Sequence, residues 1–371
     1  MKIVIFGLSV TSSWGNGHAT LLRGLFHALH KLGHEVRFFE RDTPYYASHR
    51  DLTSLPSATI HLYSDWAAIR HEAARELSDA DAGMVTSYCP DGKDASQLVL
   101  SSPLWRKVFY DMDTPVTLSQ LQKGEPVPYL PLGGLSGFDI VLSYTGGLAL
   151  EQLRHVLGAQ RTAALYGWVD PDVYYRVPAS PDFTANLSYL GTHAADRQGG
   201  LESLFIKPAE ALQGCRFLIG GAMYRETQLW PKNIRFIDHV SPTDHRAFYS
   251  SSPLTLNITR GSMAAMGYCP SGRLFEAAAC GTAVMSDDWE GLDTFFTPDE
   301  EILLVQSTTD AIRAISQDPD YLNRVGARAR ERTLSCHTAE LRAKRLLDLV
   351  DGLPDESTSN ADVIELTAER T

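Results

Sequence analysis

Three charged side chains late in the chain, Arg260, Arg273 and Glu276, have the types and the spacing for binding phosphate and ribose groups. An apolar strand predicted over 254–258 ends just before Arg260, and a short helix after Pro270-Ser-Gly carries the other two. Positions i and i+3 share one face of a helix, so both charged heads point toward the mouth of that strand. A guanidinium matches two phosphate oxygens, and a carboxylate accepts from paired ribose hydroxyls. The segment therefore predicts a site for a sugar nucleotide.

A second candidate region is the loop after the first predicted strand, where Gly15, Gly17 and His18 stand directly before a helix. Glycines let the backbone approach a ligand, and a helix N-terminus favours negative charge. A nicotinamide site with Glu40 as its ribose-binding acid is the weaker interpretation. The spacing Gly15-x-Gly17-x-x-Thr20 lacks the third glycine of that fingerprint, and the loop is several residues too long.

Two further loops follow predicted strands at the edge where α/β proteins place their sites. Asp111 and Asp113 alternate on a strand end, so both are expected to point the same way. We expect one to orient His18 or contact a substrate hydroxyl, and the other to cap the helix that Pro115 begins. The run Ser143-Tyr-Thr145-Gly-Gly147 predicts either a wall of the cleft or a plain tight turn.

Short apolar runs alternate with amphipathic helical stretches, which is typical of βαβ units and parallel sheets. We predict an α/β protein with two Rossmann-like doubly wound domains, 1–170 and 185–351, facing each other across a cleft. Proline-rich residues 171–184 are interpreted as a linker, and polar, acidic residues 352–371 as a flexible tail. The final predicted helix is expected to pack back on the first domain. Strands are predicted near 2–7, 35–40, 83–87, 106–110, 139–144, 162–166, 186–190, 215–219, 234–237, 254–258, 283–286 and 302–305, and helices include 17–32, 308–317, 320–332 and 337–350.

Composition limits the classes of function. The 371 residues exceed what one core usually supports, so two domains are expected. A net charge of −12 argues against nucleic-acid binding, which needs a basic surface. The five scattered cysteines predict no structural zinc and fit a reducing cytosol. With no secretory leader or membrane span recognisable, a cytoplasmic location is expected.

The segment Pro270-Ser-Gly-Arg273-Leu-Phe-Glu276-Ala-Ala-Ala-Cys-Gly281 resembles the donor-binding segment of group-1 glycosyltransferases of the GT-B fold. Phe109–Leu118 and Phe138–Gly147 are similar to segments of the spore-maturation (CgeB-like) members. The resemblance covers most of residues 1–350. One departure is Tyr268, eight residues before Glu276, where many group-1 members carry another glutamate. The donor sugar and the stereochemical course therefore stay open.

The resemblance implies metal-independent, hexosyltransferase-type transfer from a nucleotide-diphosphate sugar, with UDP the expected nucleotide. The acceptor would be a hydroxyl or amine of a small molecule or glycan, and no further cofactor is expected. Two alternatives remain: a sugar-nucleotide epimerase of the same fold and a non-catalytic nucleotide-sugar-binding protein. The implied roles are acceptor deprotonation for His18 or Asp111; donor binding for Gly191, Thr192, Arg197, Tyr224, His239, Arg260, Ser271, Gly272, Arg273 and Glu276; and a place in the cleft for Gly17, Asp113, Thr145, Gly146 and Asp287.

Overall fold

Two parallel sheets organise the residues that the computed structural model describes, 1–224 and 230–352. In this part of the chain the first sheet has the strand order β3-β2-β1-β4-β5-β6-β7, and the second has the order β10-β9-β8-β11-β12-β13. Both orders reverse direction beside the first strand of the sheet, which creates the crevice where doubly wound folds bind ligands. The strands are β1 Lys2–Gly7, β2 Glu35–Arg41, β3 Thr59–Tyr63, β4 Ala82–Thr86, β5 Arg106–Asp111, β6 Ile140–Ser143, β7 Thr162–Ala164, β8 Leu187–Leu190, β9 Phe217–Gly220, β10 Ile234–Ile237, β11 Leu254–Asn257, β12 Ala283–Ser286 and β13 Leu303–Leu304.

Helices connect these strands and cover both faces of the sheets. Between β8 and β9, a helical stretch contains a π-helical turn at Glu202–Ile206, flanked by α7 and α8. No helix among the described residues has the length and apolar character needed to cross a bilayer. The α-helices are α1 Gly17–Lys31, α2 Pro44–Ala47, α3 Trp66–Ser78, α4 Gly92–Ser101, α5 Thr114–Gln122, α6 Leu148–Leu157, α7 Gln198–Leu201, α8 Lys207–Ala211, α9 Pro242–Ser250, α10 Gly261–Met266, α11 Gly272–Ala279, α12 Thr308–Ile315, α13 Pro319–Cys336 and α14 Ala339–Asp351.

The first sheet contains a strand, β3, that the sequence prediction missed. It pairs in parallel with β2, from Arg37 opposite Thr59 to Arg41 opposite Tyr63. Only Tyr63 in this strand is buried, because β3 is the edge of the sheet. Its sequence therefore lacks the apolar run by which the central strands were recognised.

Helix α1 holds the first candidate loop at the cleft. The side chain of Asn16 caps it by accepting from the backbone amide of His18 at 3.1 Å. Leucines at helical spacing turn one face into the core, including Leu22, Leu25 and Leu29, each at most 1% exposed. His18 consequently stands in the first turn of a well-anchored helix, at the carboxyl edge of the first sheet.

Helix α14 follows the second domain in sequence but packs with the first. Ala343, Leu346 and Leu349 are at most 1% exposed and belong to the same apolar cluster as Leu25 of α1. A bridge between Val169 and Thr338 joins the two chain segments that cross between the domains. The tail predicted over 352–371 lies outside the described residues apart from Gly352.

Replacing Leu346 with alanine should lower the free energy of unfolding by about 2–5 kcal/mol, because it opens a cavity between α14 and α1. Urea denaturation measures this effect. Leu341→Ala on the same helix is the matched control: its side chain is 36% exposed, so we expect a change of less than about 1 kcal/mol. Equal effects for both variants would contradict the bracing role of α14.

Candidate functional site: the cleft between the two sheets

The carboxyl ends of the two sheets enclose a cavity of about 490 Å³. Loops after β1, β4 and β5 line it from the first domain, and loops after β8, β9, β10 and β11 line it from the second. This is the position at which α/β folds bind ligands. The predicted site residues that line it are Gly17, His18, Asp113, Gly191, Thr192, Arg197, His239, Arg260, Ser271, Gly272, Arg273 and Glu276.

Arg273 is fixed in orientation by the protein itself. Its Nη1 donates to Oδ1 of Asn257 at 2.7 Å, and its Nε donates to the carbonyl oxygen of Leu190. The guanidinium carbon lies 5.3 Å from the ring centre of Tyr189, within cation–π range. Arg273 therefore reaches the cavity as a pre-oriented charge at the ends of β8 and β11.

Arg197 adds a second guanidinium beside it. Its Nη2 donates to the carbonyl oxygen of Thr192 at 3.0 Å, but its Nε is buried and has no hydrogen-bond partner among the described residues. Burial lowers the pKa of Arg197; the neighbouring Arg273 and Arg260 also lower it, against an opposing influence of Tyr189. A half-buried guanidinium with an unsatisfied nitrogen and like charges beside it indicates a site that favours an anion.

Arg260 completes the cluster from the loop after β11. Its Nε pairs with Oδ2 of Asp196 at 3.2 Å, and its side chain is 38% exposed. The loop is held by Asp287, whose Oδ1 accepts from the amide and the hydroxyl of Thr259 at 2.9 and 3.0 Å. Asp287 was expected to border the cleft, but it does not line the cavity. It lies behind the loop and positions Arg260.

Glu276 lies on α11, three residues after Arg273, as the sequence predicts. Its Oε2 accepts from the hydroxyl of Tyr249 at 3.4 Å, and the hydroxyl of Tyr174 also interacts with its carboxylate. Burial raises the pKa of Glu276, and the charge of Arg273 acts in the opposite direction. Ser271 precedes α11 without making a side-chain cap, so the helix presents uncapped amides beside the guanidiniums.

The glycines after β8 and β9 let two loops approach each other closely. A Cβ atom on Gly191 would lie 2.8 Å from the hydroxyl of Tyr189 and 3.0 Å from Nη2 of Arg273. Gly221 has φ of +150° and would clash with the carbonyl oxygen of Gly191 if it carried a side chain. Gly191 is therefore required for Arg273 to reach its place.

On the opposite wall, His18 and Asp113 form a pair. Nε2 of His18 lies 2.8 Å from Oδ2 of Asp113, with side chains 13% and 17% exposed. Nδ1 of His18 is buried and has no partner among the described residues. Asp113 precedes α5, but its side chain makes no capping bond. An imidazole oriented by a carboxylate at a cavity wall is suited to accept a proton.

Asp111, the other expected proton acceptor, is placed out of reach. It is 0% exposed, does not line the cavity, and its Oδ1 accepts from the amide of Asp113 at 3.1 Å. Burial raises the pKa of Asp111 to about 6, and the charge of Asp113 raises it as well. Of the two carboxylates, Asp113 is thus the one that contacts His18 and lines the cavity, and Asp111 supports the loop.

Three other predicted residues also lie outside the cavity. The hydroxyl of Tyr224 donates to the carbonyl oxygen of Gly191 at 3.0 Å, and its ring packs with Trp230 and Phe236. The hydroxyl of Thr145 donates to Sγ of Cys269 at 3.0 Å. The amide of Gly146 donates to the carbonyl oxygen of Tyr268 at 3.0 Å. These three residues connect neighbouring loops, and the polar atoms named here form hydrogen bonds within the protein.

Glu40 is likewise occupied. Its carboxylate is 0% exposed and accepts from the hydroxyl of Ser9 and the amides of Val10 and Thr11 at 2.7, 2.7 and 3.1 Å. It fixes the loop after β1 and has no free oxygen facing the cleft. Glu40 is therefore not placed to bind a ribose, and the nicotinamide interpretation loses its support.

An aromatic stack connects the two domains at one end of the cavity. Trp14 lies between His49 of the first domain and His239 of the second, with ring centres 4.3 and 4.4 Å apart. His239 has φ of +50°, an uncommon backbone conformation for a residue other than glycine. Burial lowers the pKa of His239, which favours the neutral ring in this stack.

The cavity also contains tyrosines that the sequence analysis did not select, among them Tyr46, Tyr88 and Tyr144. Tyr88 and Tyr144 each stand within two residues of the end of a strand, β4 and β6. Their position after a strand is the same criterion that selected Asp111, but an aromatic residue at such a position is usually interpreted as part of the core. Tyr46 does not directly follow a strand, so this criterion would not have selected it.

Comparison with known proteins supports the architecture. Residues 197–348 match the model of a family described as glycosyl transferase-like. Sucrose-phosphate synthase from Thermosynechococcus elongatus superposes with a TM-score of 0.66 at 18% identity, covering 94% of this chain and 98% of that one. An alpha-glucosyltransferase in complex with UDP-glucose and DNA gives 0.65 at 14% identity, covering 95% and 99%.

A third similar structure is Anabaena HepE in complex with UDP-glucose, with a TM-score of 0.62 at 11% identity, covering 95% of this chain and 100% of that one. No curated protein matches the sequence significantly. The chain therefore has the GT-B fold, two Rossmann-like domains facing across a cleft, as the sequence predicted.

The burial of Asp111 leads to a pH-dependent prediction. Because its pKa is raised in the folded state, the folded state binds the proton more tightly, and Asp111 weakens stability as pH rises from about 4 through about 6. Asp111→Asn should therefore gain stability relative to the native protein between pH 4.5 and pH 7.5, by on the order of 2 kcal/mol. Urea midpoints at both pH values measure it. Exposed Asp94→Asn should show almost no such difference; a similar difference for both would contradict the assignment.

Proposed function

We propose that this protein is a glycosyltransferase that moves a sugar from a nucleotide-diphosphate sugar to an acceptor hydroxyl or amine. The observation that carries the proposal is the guanidinium cluster of Arg197, Arg260 and Arg273 at the cleft. Within the described part of the chain, the buried Nε of Arg197 has no hydrogen-bond partner. A diphosphate supplies the negative charge that these groups lack. Charge that builds up on the departing diphosphate would be stabilised by the same groups.

UDP is the nucleotide that we propose. The similar structures of an alpha-glucosyltransferase and of Anabaena HepE are complexes with UDP or UDP-glucose. Glu276 would accept from the ribose hydroxyls, with Tyr249 fixing one of its oxygens. The base would lie toward His239, which lines the same cavity.

We also propose that transfer requires no metal ion. In the described part of the chain, the one group of potential metal ligands is His27, Asp170 and Asp172, and none of these lines the cavity. The three guanidiniums and the N-terminus of α11 provide the positive potential that a divalent cation would otherwise supply.

The acceptor would be activated by His18. The pair formed by Nε2 of His18 and Oδ2 of Asp113, 2.8 Å apart, would take the proton when the acceptor oxygen attacks the anomeric carbon. The proton moves to His18, the bond to the diphosphate breaks, and the electron pair leaves with UDP. This pair favours a transferase over a protein that only binds the nucleotide sugar.

Tyr268, where the group-1 pattern has a glutamate, has a structural place. Its ring packs between Gly147 and Gly291, where added Cβ atoms would meet it, at 2.7 Å for Gly147. It does not line the cavity, so the donor sugar would be bound without that carboxylate. The closer resemblance to spore-maturation enzymes and the cytoplasmic location stay predictions.

Removing a guanidinium from the cluster should weaken UDP binding. Arg260→Ala and Arg273→Ala should each raise the Kd for UDP by roughly tenfold to a hundredfold, because each loses a charge-assisted hydrogen bond. Isothermal titration calorimetry measures this. Arg313→Ala, on the exposed face of α12 with a side chain 67% exposed, should bind UDP normally. Unchanged affinity in both cleft variants would remove the donor-site assignment.

Removing the base should affect turnover and leave donor binding intact. His18→Gln should lower kcat by roughly a hundredfold to ten-thousandfold, because the group that accepts the proton is lost. Asp113→Asn should lower kcat by less. The measurement is the rate of UDP release from the donor, with water or another acceptor present. His30→Gln on the exposed end of α1 is the control. A kcat close to the native value in His18→Gln would show that another group takes the proton.

A further inference from the structure

The segment predicted as a linker, residues 171–184, contributes a side chain to the proposed donor site. We call this segment the crossover; it contains Tyr174, which is 5% exposed. The hydroxyl of Tyr174 lies 3.1 Å from Nδ1 of His245 on α9, and it also interacts with the carboxylate of Glu276 on α11. His245 and Glu276 line the cavity, and Tyr174 does not. One phenol behind the cavity wall therefore connects two groups of that wall.

The position of Tyr174 is fixed by packing of the crossover against α9 and α11. Tyr174 belongs to the apolar cluster that includes Phe248 of α9 and Phe275 of α11. Further along the crossover, the amide of Val177 donates to the hydroxyl of Ser250 at 3.1 Å. The hydroxyl of Tyr174 is thus held between the two helices by contacts within the protein.

The contacts of His245 determine which of its ring nitrogens carries the proton. Nε2 lies 3.1 Å from the carbonyl oxygen of Val240, and because a carbonyl only accepts, Nε2 is the donor. Burial lowers the pKa of His245 to about 4, so the ring is neutral near neutral pH and Nδ1 is an acceptor. Nδ1 therefore takes its hydrogen bond from the hydroxyl of Tyr174.

Glu276 competes for the same hydrogen. A phenol carries one, so Tyr174 donates either to His245 or to the carboxylate of Glu276. A protonated Glu276 removes the competition, because its own O–H can donate to the Tyr174 oxygen while Tyr174 donates to His245. An ionised Glu276 requires Tyr174 to turn toward the carboxylate and leaves Nδ1 without that donor. Burial raises the pKa of Glu276, and the interaction with Tyr174 acts against it.

We infer that Tyr174 and His245 are positioning residues that set the charge state of Glu276, the group proposed to accept from the ribose of the donor. The inference rests on the proposed transferase function. Tyr174 stabilises the ionised carboxylate, which ribose hydroxyls favour as an acceptor. His245 opposes this by competing for the Tyr174 hydroxyl. Ribose binding is therefore coupled to the proton in this network and weakens as the pH falls.

Other groups act on Glu276 from the elements packed against it. Arg273 on the same helix favours the ionised form, as does Tyr249 of α9, whose hydroxyl donates to Oε2 at 3.4 Å. Cys280 of α11 and Tyr144 of the first domain interact with Glu276 electrostatically. All of these groups stay unchanged in the variants below, so differences among the variants come from the two positioning residues.

The test compares the affinity of the full chain for UDP and for 2′-deoxy-UDP, by calorimetry from about pH 5 to about pH 8. The ratio of the two Kd values reports the ribose contact, because the diphosphate titrates alike in both ligands. In the native protein this preference for UDP should decrease as the pH falls, since protonation of Glu276 removes a charge-assisted hydrogen bond. A preference that is constant with pH, or that increases toward acid, would overturn the inference.

Two variants should shift this profile in opposite directions. Tyr174→Phe removes the donor to the carboxylate, so its preference should decline at a higher pH, and should be lower than the native one by roughly threefold to tenfold where the profiles separate. His245→Phe removes the competing acceptor, so its preference should persist to a lower pH. Tyr175→Phe, the neighbour in the crossover, is 39% exposed; it is the matched control and should follow the native profile.

Tyr174→Phe suffices for the test if His245→Phe does not fold, because it keeps the ring and removes one oxygen. A Tyr174→Phe profile identical to the native one, or shifts of both variants in the same direction, would show a purely structural role and overturn the inference. A native protein that binds no UDP at any pH would overturn the proposed function, and this inference with it.

Discussion

The crowding of Arg197 by Arg273 and Arg260 at the cleft is the electrostatic constraint around which the proposed site is organised. Arg197 is half-buried, its Nε lacks a partner among the described residues, and Arg273 and Arg260 raise the cost of its charge. A buried cation is ordinarily stabilised by an ion pair. Asp196 pairs with Arg260, and Glu276 accepts from Tyr249. Neither contact satisfies Nε of Arg197, which has no partner among the described residues.

The surrounding fold keeps this arrangement in place. Asn257 and the carbonyl of Leu190 hold Arg273, and Asp287 holds the loop of Arg260. The first domain supplies the His18–Asp113 pair opposite them. Helix α14 and the Tyr268 contact with Gly147 and Gly291 connect the domains, so the base and the guanidiniums share one cavity.

Much of this arrangement follows from periodicity and loop position. The central strands and the Arg273–Glu276 spacing were predictable because buried parallel strands are apolar runs and helical neighbours repeat every three to four residues. The edge strand β3 was not predictable, because its exposed residues interrupt the apolar run that identifies a buried strand. Which of Asp111 and Asp113 contacts His18 was also beyond the sequence: both stand at a strand end, and only packing decides which is buried. Tyr46 and Tyr88 were missed because aromatic residues are common in any core.

The most direct measurement of the central claim is a calorimetric titration of the native protein with uridine, UMP and UDP under one buffer condition. If the guanidinium cluster binds the diphosphate, affinity should rise with each phosphate, and UDP should bind at least roughly tenfold more tightly than uridine. Uridine binding as tightly as UDP, or no binding of UDP at all, would contradict the account.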